Sequence, residues 1–510
     1  MKNKILIEFH NWKLQSIVYY FFIKVLKKNN CTVHAFITYP DFFDESKIQR
    51  FASYIKILLG NILSLKNFGF YKSIGVEKIF KPIIKKKIQD KATIYYKKKL
   101  NKKISYQEIK ALKVDNIHIG DILIDCYLKA YKLPTIDVAN PKFKVFLKNF
   151  LSLFFYWEDY FKLNKVKAVV VTHDTYFSGL PLRIALTKNI KSVIGTYEKL
   201  FQLSNKNKYP YKEFMFYRKR FSKLKRTLQK KALKFSEKKI IEKFNGSNFY
   251  YPYLYKSAFK KNYDKKRVLS SSKKYKVLIL PHSFIDSPNG FGGSLFPDFY
   301  QWLIFLFKIS KNTNYEWYVK VHSDFKKKYS DPTYELIKKL VSKKYPNIKW
   351  LSSDTPHNNI IKEGINAVFT AQGSVGNEYP FFNIPVINAS LNNPHIKYNF
   401  NLHPKNIKEL ETIIYNLPKL KVKIDKDEIK EFFFMHKILP QNNWLGINIS
   451  QFTYEMGGEL HLFRNKNAYD ILMNKVDEEK TIKNLKKFLS TNKYTLDYNL
   501  IERIRNCDKL

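Results

Sequence analysis

Short apolar runs alternate along this chain with longer stretches of helical spacing. Residues 5–9 form an apolar run, residues 14–27 carry a helical period, and residues 31–39 are again rich in β-branched and aromatic side chains. The order strand, helix, strand follows. Residues 45–115 are Lys-rich with a mostly helical period, and read as an insertion or outer layer on the same unit. Residues 140–161 predict a long helix, and residues 168–172 (Ala-Val-Val-Val-Thr) a buried parallel strand ending at His173-Asp174. A helix over 179–188 and a strand over 192–195 complete an alternation that argues for a doubly wound sheet.

Residues 205–270 are dense in Lys and Arg, with Asn245-Gly246-Ser247-Asn248 as a loop signal, and read as a connection. A second alternation then begins with a strand over 275–280 that stops at Pro281-His282. It continues with a helix over 297–309, a strand over 317–321 ending at His322, a helix over 333–344, a strand over 348–351, a short helix over 358–363, and strands over 367–370 and 386–389. Beyond residue 425 the pattern is helical, and some of these helices are expected to cross back over the first unit. The expected fold class is therefore α/β with two Rossmann-like lobes. The first spans 1–205 with its insertion at 45–115, a basic connection spans 206–270, the second lobe spans 271–425, and C-terminal helices span 426–510. A chain of 510 residues exceeds what one core usually organises, and two comparable lobes leave a cleft between them.

Charge and cysteine content narrow the partners. Lys and Arg number 92 against 43 Asp and Glu, a formal charge of +49. A solvated Lys-rich surface, peripheral contact with an anionic inner-membrane surface, and nucleic acid all accommodate that sign. The excess is spread along the chain, in runs such as 85–87, 97–99 and 326–328, and no RRM, zinc-finger, helix-turn-helix or OB signature accompanies it, so no nucleic-acid partner is expected. Cys31, Cys126 and Cys507 are too few and too scattered for a disulfide framework or a Cys-based zinc site, which fits a reducing cytoplasm. The N-terminus turns polar too soon for a signal peptide, and no stretch approaches the ~18 apolar residues needed to span a bilayer. Any contact with the cytoplasmic membrane is expected to be peripheral.

The candidate chemistry gathers at predicted strand ends. Val368-Phe369-Thr370-Ala371-Gln372-Gly373-Ser374-Val375-Gly376-Asn377-Glu378 runs a strand into a small-residue turn and a helix start, with Ile384-Pro385-Val386-Ile387 after it. Such a turn lets a phosphate approach backbone amides at Gly373, Ser374 and Gly376, and Glu378 is placed to accept ribose hydroxyls. A plain capped strand-to-helix turn accounts for the same residues. His282 and His322 also follow strand ends, and in open α/β sheets ligands bind at that edge. Lys320 offers an ammonium to a developing phosphate charge. For a general base on the other side of the cleft, His173 and Asp174 are the first candidates and Glu8 and His10 the next, with Asp286 as a further carboxylate or a simple turn former. Isolated Asp324 and Asp354, and histidines without helical pairing, give no metal motif, and neither a P-loop nor a Gly-x-Ser-x-Gly elbow occurs.

Strand, Thr, Gly-Ser-x-Gly-x-Glu and then Ile-Pro-Val-Ile resembles the donor turn of GT-B enzymes related to UDP-N-acetylglucosamine 2-epimerase and to capsule polysaccharide proteins, including β-Kdo transferases. Lys320-Val321-His322-Ser323 resembles their Lys-x-His-Pro segment, with Ser323 in place of Pro. Residues 281–288 with 295–302, residues 119–125, and His173-Asp174-Thr175-Tyr176 with Gly179 and Arg183-Ile184-Ala185 resemble further segments of the group. The resemblance covers roughly residues 115–415. It implies a metal-independent, cofactor-free glycosyltransferase that takes a nucleotide sugar and acts on a surface polysaccharide or lipid-linked acceptor. A nucleotide-sugar 2-epimerase shares the donor turn, but the closely spaced catalytic carboxylates it requires are not found. A non-catalytic basic scaffold also remains compatible with the sequence.

Overall fold

The computed structural model describes residues 2–10, 13–27, 30–38, 47–64, 67–100, 104–246, 258–259, 267–290, 292–322, 332–441, 444–458, 462, 465, 467–496, 500–505 and 507. Tyr39, Ser247, Asn248, Ser323, Asp324 and the lysine run 326–328, all singled out from sequence, lie outside the described residues.

The first lobe is built on β1 (Asn3–Phe9), β2 (Cys31–Ile37), β3 (Lys78–Phe80), a small hairpin of β4 (Lys113–Val114) and β5 (Ile117–His118), then β6 (Val166–Val171), β7 (Lys191–Gly195) and β8 (Leu200–Gln202). Six of these form one sheet in the order β3-β2-β1-β6-β7-β8. All of its pairs are parallel except β7 with β8. Its inner strands are covered on both faces, so they read as continuous apolar runs. Ile5, Ile7, Ala168 and Val170 feed one core, beneath the helix Ile17–Leu26, while Leu6, Val169 and Val171 feed the other, beneath the helix Pro141–Leu163. That long helix starts on Asn140, whose Oδ1 accepts from Lys142 N at 2.9 Å, with Pro141 in the first turn where its missing N–H costs nothing. Phe143, Phe146, Phe150, Phe154, Trp157 and Phe161 then fall on its buried face. The described residues of segment 45–115 are mostly helical, as expected, but they are more than an outer layer, because β3 within them extends the sheet.

The second lobe holds β9 (Lys276–Ile279), β10 (Glu316–Lys320), β11 (Ile348–Leu351), β12 (Ala367–Thr370) and β13 (Val386–Asn388), all parallel, in the order β11-β10-β9-β12-β13. The helix Phe299–Ser310 is capped by Asp298, which accepts from Gln301 N at 2.7 Å. The basic helix Arg226–Phe244 belongs to this lobe too, packed with the helix Lys426–Phe433.

The C-terminal segment returns to the first lobe. Trp444, Phe452, Leu485 and Phe488 join the core around Ile5 and Ile7. Trp444 meets Phe21 edge-on at 5.6 Å and donates Nε1–H to Thr196 O at 2.9 Å, and Gln202 N donates to Tyr494 O at 2.9 Å. The chain therefore passes between the lobes twice, once before Tyr217 and once after a π-helical turn at Phe434–Ile438. The two passages touch, with Tyr217 Oη 3.1 Å from His436 Nδ1. Contacts between the lobes also include Tyr106 Oη donating to Asp298 Oδ2 at 2.6 Å, and Lys110 Nζ donating to the carbonyls of Ser294 and Phe296 at 2.8 Å.

Replacing Trp444 by Ala removes a buried indole and strands the Thr196 carbonyl. A loss of about 3–5 kcal/mol in urea unfolding is expected. A change below about 1 kcal/mol would show that the returning segment does not support the first sheet.

Candidate functional site

Because β1 and β6 are parallel neighbours, Glu8 and His10 emerge beside Thr172 and His173 on one edge of the first sheet. Glu8 is buried, and its carboxylate accepts from Thr38 Oγ1 at 3.1 Å, Thr172 N at 3.3 Å and Thr172 Oγ1 at 3.1 Å. The Thr172 hydroxyl has one proton, and that proton goes to Glu8. Its lone pairs then receive His10 Nε2 at 2.7 Å and His173 Nδ1 at 2.8 Å, so both ring nitrogens must donate. His10 Nε2 also reaches Glu8 at 3.1 Å. His173 is thereby fixed with its proton on Nδ1, which leaves a bare Nε2.

Electrostatics reinforces this arrangement. Burial pushes the Glu8 pKa up, but the charge and hydrogen bond of His10, with His173 and Ser178, outweigh it and hold the carboxyl at about 2. Enclosure lowers the His173 pKa, against opposing pulls from Glu8 and from Asp286 of the second lobe, so the imidazole stays neutral while its ring still reaches solvent. Asp286 is held by Tyr176 Oη, which donates to Oδ1 at 3.0 Å.

Asp174 does not share this environment. It is buried among Arg183, Asp121 and Lys212, its Oδ1 finds no hydrogen-bond partner among the described residues, and desolvation pushes its pKa up to about 7. His173 and Asp174, paired in the sequence reading, therefore belong to different clusters. Asp121 pairs with Arg183 Nη1 at 2.6 Å, and Asp125 receives Asn289 N and Nδ2 of the second lobe at 3.2 Å each.

On the second sheet, His282 after β9 and Gln372 and Gly373 after β12 are brought together. His282 Nε2 accepts from Gln372 N at 3.2 Å, and Thr370 Oγ1 accepts from Gly373 N at 3.2 Å. Stacked on Phe299 at 4.9 Å, His282 is neutral, its pKa pushed down to about 3 by burial and by His322. A Cβ at Gly373 would stand 2.8 Å from Thr370 Oγ1, so the turn has no room for a side chain. Ser374, exposed, opens a helix of a single turn, Val375–Glu378. Lys320 is buried and donates Nζ–H to Ser353 O at 3.2 Å, while His322 is exposed. Lys320, Lys243 and His322 all lower the pKa of His357, after burial as the main cause. Of these, Lys320 ends β10 and His322 follows it at this edge, whereas Lys243 is paired with Glu378.

Two residues of the turn serve packing. Gly376 lies against the imidazole of buried His395, and any Cβ there would collide with the ring, so its small size does not serve an incoming phosphate. Glu378 is buried in an ion pair with Lys243 from the helix Arg226–Phe244, so its carboxylate does not stand free to receive ribose hydroxyls. Sequence reasoning missed Lys243, His357, His395 and Thr172. Thr172 closes a recognised strand, and its polar side chain at a buried strand end was the available signal; the other three carry no local signal.

No family model matches the chain, and no curated protein does. Among solved structures it is similar to a UDP-GlcNAc 2-epimerase from Neisseria meningitidis bound to UDP-GlcNAc, with 12% identity, 91% of this chain and 100% of that chain covered, and a TM-score of 0.24. An S. aureus MnaA–UDP structure gives 11% identity, 98% and 100% coverage, and a TM-score of 0.27. A glycosyltransferase from Rickettsia africae ESF-5 gives 10% identity, 96% and 100% coverage, and a TM-score of 0.27.

Two outcomes follow from this geometry. Glu8 has a folded pKa of about 2 against an ordinary 4.5, so its stabilisation is complete above pH 4.5 and is lost as pH falls toward 2. That shift amounts to about 3 kcal/mol, and Glu8→Gln should flatten the acid limb of stability against pH, measured by urea unfolding at stepped pH. Glu378→Gln should strand Lys243 and cost about 3–5 kcal/mol, whereas Lys243→Met with Glu378→Leu should recover most of it. Equal stability of Glu378→Gln and the wild type would remove the structural role assigned to the pair.

Proposed function

We propose that this chain is a metal-independent glycosyltransferase that moves a sugar from a nucleotide-sugar donor to a surface polysaccharide or lipid-linked glycan, in the cytoplasm. One observation carries the reading. The strand-end edge of the first sheet, with His173 set by Thr172 and Glu8, is joined to the segment that follows β9 of the second sheet by Tyr176 Oη bonding Asp286 at 3.0 Å, and His282, Lys320 and the Gly373–Ser374 turn lie at the strand ends of that second sheet.

In this reading the donor phosphates lie at the second edge, beside Lys320, His322 and the Gly373–Ser374 turn, with His282 fixing that turn. The acceptor hydroxyl lies against His173. As its oxygen attacks the anomeric carbon, the hydroxyl proton passes to His173 Nε2, the bond from the anomeric carbon to the phosphate oxygen breaks, and the nucleotide leaves with its negative charge facing the Lys320 ammonium. Asp286 offsets the positive charge that forms on His173. Asp174 has no role in proton transfer here. The resemblance around residues 320–323 and 368–387 supports the choice of a nucleotide sugar as donor.

UDP-, GDP- and CMP-sugars titrated calorimetrically in EDTA test the reading. One class should bind, and Lys320→Met, which keeps the volume and loses the charge, should weaken that binding by about 10- to 150-fold, as expected for a hydrogen bond to a charged group. His173→Ala should leave donor affinity intact and lower turnover about 10²- to 10⁴-fold. No binding of any class, with or without divalent metal, would reject the assignment. A product that is a free epimerised nucleotide sugar would replace transfer with epimerisation.

A further inference from the structure

The helix Lys47–Leu63 is oriented against the usual rule. The side turned to the protein carries Ser53, Ile57, Gly60 and Asn61, of which only Ile57 is a large apolar residue, packed on the first-lobe core. Gly60 lets the helix lie directly on the Phe68 ring. Asn61 is spent on the free edge of the first sheet: its Oδ1 accepts from Ile79 N at 3.0 Å and its Nδ2 donates to Ile79 O at 2.8 Å, closing the outer side of β3. The side turned to solvent is the apolar one. Phe51, Tyr54, Leu58, Leu59, Ile62 and Leu63 are 68%, 50%, 43%, 44%, 64% and 59% exposed. Their spacing puts them on one continuous stripe along the helix. Contiguous exposed apolar surface of this kind marks an interaction site.

Charge selects the occupant. Between residues 47 and 90 the acidic residues are Glu77 and Asp90, against ten Lys and Arg, and Asp90 pairs with Lys86 at 3.3 Å. Glu77 is itself paired with Lys27 at 3.2 Å. Lys56 on the helix is exposed, and so are Lys85, Lys86 and Lys87. The latter three follow Lys81, whose Nζ reaches Ser53 Oγ of the helix at 3.4 Å. An apolar helical ridge that carries an exposed Lys56, in a segment where basic residues far outnumber acidic ones, matches the boundary between acyl chains and anionic headgroups. Among the described residues no helix is long and apolar enough to cross a membrane, so the contact is one of lying on the surface.

We propose that the helix Lys47–Leu63 seats the protein on an anionic lipid bilayer, its apolar stripe entering the headgroup boundary and Lys56, Lys85 and Lys87 supplying charge for the lipid phosphates. The next helix, Asn67–Ser73, carries Tyr71, whose hydroxyl donates to Glu8 O at 3.2 Å and accepts from His10 N at 2.7 Å. The element that follows the seated helix is thus bonded directly to the backbone of the strand end that carries Glu8 and His10. If the transfer reading holds, and on that reading alone, this favours an acceptor anchored in the same bilayer.

Flotation of the full-length protein with vesicles, without donor or acceptor, tests the seating separately from transfer. The wild type should float with phosphatidylcholine vesicles containing phosphatidylglycerol and much less with phosphatidylcholine alone. Phe51→Ser, Leu58→Ser and Ile62→Ser together should weaken partitioning at least about tenfold at unchanged melting temperature, since all three side chains are exposed. A second variant, Lys85→Glu with Lys86→Glu and Lys87→Glu, should lose the preference for anionic lipid, and it carries the test if the first melts early. Wild-type flotation by the serine variant, or no flotation by the wild type, would overturn the proposal. So would a dimeric wild type that the serine substitutions merely make monomeric in light scattering.

Discussion

A parallel strand cannot turn back into its neighbour; the chain must cross over and begin again at the same end. Every parallel strand of such a sheet therefore finishes on one edge, and the residues that follow the strands gather there whatever their separation in sequence. Both lobes rest on this constraint. It sets Glu8 and His10 beside Thr172 and His173, 164 residues apart for the Glu8–Thr172 bond, and it sets His282 beside Gln372, 90 residues apart. Each bond at these edges exists only because the ladders hold the strand ends level.

Within that frame, desolvation and the nearest cation decide the character of each acid. Glu8, Asp121, Asp125 and Asp174 are all buried. Glu8 and Asp121 are held below the usual carboxylate range because His10 and Arg183 bond to them directly. Asp174 has Arg183 nearby without a hydrogen bond from it and rises to about 7, while Asp125, raised by burial and by the charge of Asp121, stands well above its ordinary value. Four acids in one lobe divide according to which of them a basic side chain bonds directly.

The sequence made the central strands legible because burial on both faces writes an unbroken apolar run, and β12 spans residues 367–370 in both readings. The short edge strands β3 and β8 were missed, since three residues leave too little periodicity to detect. The turn after β12 was legible as a motif, but its internal partners were not. Glu378 finds Lys243 135 residues away, and Gly376 finds His395, and neither pairing leaves a local trace. The helix over residues 47–63 shows a further limit. Period reveals an apolar stripe, but whether that stripe faces inward is settled by what the opposite side must do, here Asn61 closing the edge of β3.

The meeting of Tyr217 with His436 has a mechanical consequence. Two covalent links between the lobes, bonded to each other at one place, constrain relative motion far more than a single tether would. Sliding or twisting of one lobe past the other would have to shear both links against their shared contact, and would also break the bonds of Tyr106 with Asp298, of Lys110 with the Ser294 and Phe296 carbonyls, and of Asn289 with Asp125.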